Sequence, residues 1–190
     1  LDRTGFLNDQ DTDLVKALAS YDIPHRFVGS GVYEFPLGRG RKYLASARGL
    51  WGKLIEGYQL NAIYTAQSGV PIDISGAESL GRSAKLTEGQ SVNRWFDTTA
   101  FRVRQTLEYV GLSRLPDVRS AGKNNWDFSL FKNTSFTESL KAQFRVETFN
   151  GFNRPEYASP NGTFGNANFG VVTSSVVFAR QIQFGLKLMW

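Results

Sequence analysis

The chain has 190 residues, the length of one ordinary domain, and its 22 Lys and Arg against 17 Asp and Glu give a formal charge of +5. That charge is modest and, apart from Arg39, Arg41 and Lys42, scattered, which argues against the one-sided basic face of a nucleic-acid binder; with no cysteine there are no disulfides, thiolate nucleophiles or cysteine-held metals. No apolar run approaches the ~18 residues of a transmembrane helix, yet 15 Phe, 7 Tyr, 4 Trp and 19 Gly favour strands and turns, and a membrane-crossing strand alternates and so leaves overall polarity high.

Residues 1–21 read as a loop with one helical turn around 14–18. Asp9, Asp11 and Asp13 resemble the opening of a calcium loop, but Leu14 stands where an EF-hand needs Gly and Ser20 where it needs Glu, so a solvated loop is expected. Residues 25–35 alternate as a strand, with Phe27, Gly29, Gly31, Tyr33 and Phe35 on one face and Arg26, Val28, Ser30, Val32 and Glu34 on the other. Pro24 and Pro36 bracket it. His25, the single histidine, cannot form a multi-histidine metal site and has no nucleophile beside it, so it reads as structural. Residues 36–56 form a connection that starts with a turn at Gly38-Arg39-Gly40. Its glycines and cations complete neither G-x-G-x-x-G nor a P-loop, and suggest a basic turn near anionic head groups.

The next strand, 57–67, sets Tyr58, Leu60, Ala62, Tyr64 and Ala66 against Gln59, Asn61, Ile63, Thr65 and Gln67. A long connection, 68–124, carries the cluster Trp95, Phe96 and Phe101, which would either pack the loop down or stack on a ligand. Residues 125–133 place Trp126, Phe128 and Leu130 against Asp127 and Ser129, with Phe131 breaking the pattern. After the short turn 134–138, residues 139–150 alternate Leu140, Ala142, Phe144 and Val146 with Lys141, Gln143, Arg145 and Glu147. A second long connection, 151–178, leads to the last strand, 181–190. Here Ile182, Phe184, Leu186, Leu188 and Trp190 fall at every second position over a length that matches the ~9–11 residues of a tilted membrane strand.

Five strands with an apolar face and two open edges should aggregate in water and leave backbone groups unpaired in lipid. The expected fold is therefore all-β: five long antiparallel strands forming part of a larger membrane barrel. If the C-terminus is periplasmic, the long connections 68–124 and 151–178 are extracellular, and 134–138 and the longer 36–56 are periplasmic. The polar set Arg26, Glu34, Lys141, Arg145, Glu147 and Lys187 would line the lumen. Cross-strand ion pairs and hydrogen bonds there would set the register and hold a plug.

Several segments resemble one family. Tyr21-Asp22-Ile23-Pro24-His25-Arg26-Phe27-Val28, the run from Gly57 to Pro71, Asn93-Arg94-Trp95-Phe96-Asp97-Thr98-Thr99-Ala100-Phe101, the run from Phe144 to Pro155, and Arg180-Gln181-Ile182-Gln183-Phe184-Gly185-Leu186-Lys187 are similar to motifs of TonB-dependent receptors of the Oar-like kind. The resemblance spans residues 21 to 190. It implies the C-terminal end of a barrel of about 22 strands, with an N-terminal plug, a TonB-contacting segment and the earlier strands lying outside this chain. It further implies residence in the bacterial outer membrane and energy-coupled uptake of a bulky ligand such as a siderophore, cobalamin or glycan.

The partners implied are the TonB system, outer-membrane lipid, the unidentified ligand and the barrel-assembly machinery. That machinery would read Ile182, Phe184, Leu186, Leu188 and Trp190 as an assembly signal, since an extended segment can pair with an open sheet edge. No catalytic constellation survives, so neither enzyme activity nor a cofactor is expected. The alternatives are a soluble all-β carbohydrate-binding module and an outer-membrane anchor or adhesin without transport.

Overall fold

The structure, a computed structural model, describes residues 17–103 and 113–190. Asp9, Asp11 and Asp13, and most of the expected helical turn at 14–18, lie outside that range. In chain order the elements are β1 (Arg26–Glu34), α1 (Gly49–Ile55), β2 (Tyr58–Gln67), β3 (Pro71–Ile74), β4 (Ala77–Ser79), β5 (Phe101–Val103), β6 (Ser113–Arg119), β7 (Lys123–Ser135), β8 (Lys141–Phe149) and β9 (Gln181–Met189). The chain divides into two compact units, one of residues 1–25, 67–123 and 156–177, the other of 26–66, 124–155 and 178–190.

The second unit is built on one five-stranded sheet in the order β1-β2-β7-β8-β9. These are the five strands expected from alternation, with bounds shifted by at most two residues at each end. Neighbours run antiparallel. Phe35 N–H donates to Tyr58 O and Ser68 N–H to His25 O, which fixes β1 against β2, and Asn133 N–H donates to Gly57 O beside β2 and β7. The pairs Leu130↔Val146 and Phe144↔Leu186 set β7 on β8 and β8 on β9. The strands have 9 to 13 residues, enough for a tilted crossing of ~9–11. The turn joining β7 to β8 is tight, with Phe136 N–H bonded to Leu140 O and Leu140 N–H to the Thr137 hydroxyl. Gly57 has φ 78°, and a Cβ there would stand 2.2 Å from Asn133 O, so only glycine lets β2 start this close to β7.

The connection 36–56, expected as a loop opening on a turn, contains a helix as well. Gly38 N–H bonds Tyr43 O and Tyr43 N–H bonds Pro36 O, closing a small hairpin. α1 follows, and its last turn is closed by Glu56 N–H on Gly52 O. Seven residues give too short a period for hydrophobic patterning to mark it.

The first unit departs most from expectation. The connections 68–124 and 151–178 read as loops, yet they fold together. β3 pairs with β6 and β4 with β5, both antiparallel. Every buried apolar side chain among the described residues belongs to this unit, including Ile72, Ile74, Leu115 and Val118. Phe96 is fully buried and meets Phe101 and Phe169 edge-to-face at 5.8 and 5.2 Å. Trp95 is buried and its indole N–H donates to Arg119 O at 2.8 Å. Trp95, Phe96 and Phe101 are thus packed into the core of this unit.

Asp97 caps the short 3-10 turn Thr98–Ala100 by accepting from Thr99 N–H. The Thr99 hydroxyl bonded to its carboxylate, then the Thr99 N–H and the Arg82 guanidinium, outweigh desolvation and hold Asp97 below the usual carboxylate range. Arg119 adds a long-range tie by donating to Asp22 O and Gly69 O.

Replacing Phe96 by Ala should destabilise the first unit by about 3–5 kcal/mol, the cost of emptying a buried aromatic site. Limited proteolysis of the full-length protein would show cleavage within 67–123 at lower protease concentration, with the heat-modifiable mobility of the sheet retained. Unchanged protection would contradict this account of the core.

Candidate membrane face and lumen lining

Alternation and register together sort the sheet's side chains into two faces. The pairs Ala142↔Leu188, Phe144↔Leu186 and Val146↔Phe184 stand on one, and Leu130↔Val146 carries that face onto β7. Ring contacts carry it across the rest of the sheet: Phe27 lies 6.0 Å from Tyr64, Tyr64 stacks on Trp126 at 4.5 Å, and Phe144 stacks near Phe184 at 6.3 Å. This face is exposed. Phe184 shows 70 % of its surface and Trp190 93 %, and Phe27, Tyr33, Ile182, Leu186 and Leu188 are also open. A contiguous aromatic and aliphatic surface of this size is suited to hydrocarbon and not to water.

The opposite face is polar and laced by short hydrogen bonds. Gln183 donates to the Glu147 carboxylate at 2.6 Å, Gln143 to Asn133 at 2.8 Å, Asn125 to Asp127 at 2.9 Å and Gln59 to Asn61 at 2.9 Å. All six residues expected to face a lumen fall on this side by alternation: Arg26, Glu34, Lys141, Arg145, Glu147 and Lys187. The expected cross-strand ion pairs among them do not form among the described residues. Register is the reason. Glu147 stands opposite Gln183 and Ser129, Lys187 opposite Gln143, and Lys141 opposite Met189 and Ser135. Glu34 has an ion pair at 3.5 Å, but its partner is Arg41 in the 36–56 connection.

Arg145 stands opposite Gly185, where a Cβ would sit 2.8 Å from its Nε. The missing side chain at 185 is what lets the arginine lie flat on the sheet, and its buried Nε has no partner. Phe131, which broke the sequence pattern, sits on the polar face opposite Arg145.

One cation stands on the apolar face. Lys132 pairs with Phe144, its ammonium lies 4.8 Å from the Tyr58 ring centre, and it donates to Lys53 O and Glu56 O at the end of α1. A lysine at the border of an apolar surface reaches for polar groups at the rim; here it reaches the carbonyls of a helix. Its partners lie far off in the chain, so the sequence carries no local signal of them. α1 presents Leu50, Trp51 and Leu54 to the outside.

These features define a class: a sheet with one face for lipid and one for water, whose crossing elements are strands. Among the described residues no helix is long and apolar enough to cross a membrane, which says nothing against strands. The chain matches the family described as outer membrane beta barrel domain over residues 2–183, and it belongs to that family. Its location is the bacterial outer membrane. Neither a curated protein nor a solved structure matches the chain. The soluble carbohydrate-binding alternative does not fit an outer-membrane family or an apolar face left open.

Phe184→Lys and Gln183→Lys separate the two faces. In the full-length protein refolded into bilayers, the first should cost about 2–4 kcal/mol in urea unfolding if residue 184 lies near mid-membrane, and the second much less. Equal losses would mean the faces are not different.

Proposed function

We propose that this chain is the C-terminal part of the barrel of a TonB-dependent outer-membrane receptor, which takes up a bulky ligand such as a siderophore, cobalamin or glycan at the expense of the inner-membrane proton gradient. The observation that carries the reading is the contrast between the two ends of the sheet. At one end β1 and β2 are joined through 36–56, and β7 and β8 through a tight turn. At the other end β2 runs into the connection 68–124 and β8 into 151–178, both longer than 36–56. Short periplasmic turns and long extracellular loops have this asymmetry. The motif resemblance over residues 21–190 supports the receptor class.

In this reading the connections 68–124 and 151–178 are extracellular, 36–56 and the end of β9 are periplasmic, and the polar face with Arg145, Glu147 and Lys187 looks onto a plug. The edges of β1 and β9 pair with further strands of a roughly 22-stranded barrel. β9, with Trp190 directly after it, is the segment the assembly machinery engages. The protein lowers no chemical barrier; its work is binding and gated passage.

The full-length protein should carry a signal peptide, a plug and a segment that retains the purified periplasmic domain of TonB on a column. Retention supports transport. A complete barrel with no plug and no retention would overturn it and leave an outer-membrane anchor or adhesin.

A further inference from the structure

The segment 36–56 holds a surface that the transport reading does not use. α1 turns Leu50 and Trp51 outwards with 81 % and 75 % of their surfaces open, and Leu54 lies beside them. At ~100° per residue these positions share one side of the helix. Gly52 is buried on the other side, where a Cβ would stand 2.9 Å from Ala47 O. The helix is thus packed inwards through glycine and apolar outwards.

A basic cavity of about 550 Å³ adjoins it, lined by Arg39, Arg48 and Lys53 against a single carboxylate, Glu56, with small residues between them. The basic hairpin is tied to the helix end, because Gly38 at φ 102° lies so close to Glu56 that a Cβ would be 2.4 Å from that side chain. Lys132, from the apolar face of the sheet, holds the last carbonyls of the helix. The end of α1 is thereby tied to the apolar face of the sheet, and the cations of the cavity belong to the same segment.

We propose that α1 and the hairpin before it form an interfacial anchor that inserts Leu50, Trp51 and Leu54 among the lipids of the periplasmic leaflet. In this arrangement the cavity of Arg39, Arg48 and Lys53 takes the phosphate of an anionic phospholipid. The inference rests on the orientation proposed above. Three observations select lipid as the occupant. The end of the helix is tied through Lys132 to the apolar face of the sheet. Cations outnumber carboxylates in the cavity three to one. The exposed side of the helix carries a tryptophan, whose amphipathic ring suits a membrane–water boundary. Lys132 acts as the strut, locking the helix at the depth where the apolar face ends.

The test uses the full-length protein with Leu50→Cys as its sole cysteine, labelled with an environment-sensitive fluorophore. It is folded into vesicles of phosphatidylcholine alone or with phosphatidylglycerol, and folding is read separately by heat-modifiable mobility. The label should emit from an apolar setting, resist aqueous iodide and be quenched by brominated lipid. Brominated phosphatidylglycerol should quench it more strongly than brominated phosphatidylcholine at equal fraction. Anionic enrichment of about fivefold per cation is the scale expected for a basic surface, and it should vanish in Arg39→Gln/Arg48→Gln/Lys53→Gln while insertion persists.

A folded barrel whose label is open to iodide overturns the anchor and leaves the barrel intact. A label shielded from both quenchers in the vesicles means the protein itself covers the helix, which also overturns it. Equal quenching by the two lipids overturns the headgroup site. A chain with no heat-modifiable form would sink the barrel reading itself.

Discussion

The sheet has no core of its own, and everything else about the molecule follows from that. In a soluble β protein the apolar face of a sheet is covered by a second layer, and the free energy of removing that face from water opposes the entropy of ordering the chain. Here all of the buried apolar side chains among the described residues belong to the first unit. Phe144, Phe184, Leu186 and Leu188 stand in the open. Such a sheet persists only where its surroundings are apolar. A bilayer supplies that and, by removing water, also makes the antiparallel hydrogen bonds obligatory. The open edges at β1 and β9 impose the same demand, since an unpaired edge in hydrocarbon must find another strand.

The opposite face answers a different constraint. Its side chains are held in register by amide–carboxylate and amide–amide hydrogen bonds in place of ion pairs. Gln183 on Glu147 and Gln143 on Asn133 are neutral donors on the neighbours that the register supplies. This leaves Lys141 and Lys187 without a carboxylate on the sheet, and the Nε of Arg145 without any partner. Charge on that side is therefore available to whatever the face looks onto.

The legibility of the sequence divides along the same line. Strands that face two different solvents must alternate, so β1, β2, β7, β8 and β9 could be read from period two alone, down to the misplaced Phe131. The first unit was illegible because its strands have three to seven residues and its core is assembled from chain positions far apart, as with Phe96 on Phe169. The clustering of Trp95, Phe96 and Phe101 was visible, but only tertiary contacts could decide between packing and binding. α1 was missed because a seven-residue helix has too few turns for a period. Alternation put the six polar residues on one face of the sheet, while their partners depended on a cross-strand register that no single strand encodes.

The central claim is that the two faces of β9 meet different media, and a cysteine scan along it in the full-length protein, folded in the outer membrane, tests that most directly. Cysteines at 182, 184, 186 and 188 should refuse a water-soluble thiol reagent and react with a lipid-partitioned one, and those at 181, 183 and 187 should do the reverse. Uniform reactivity, or the opposite phase, would contradict the account.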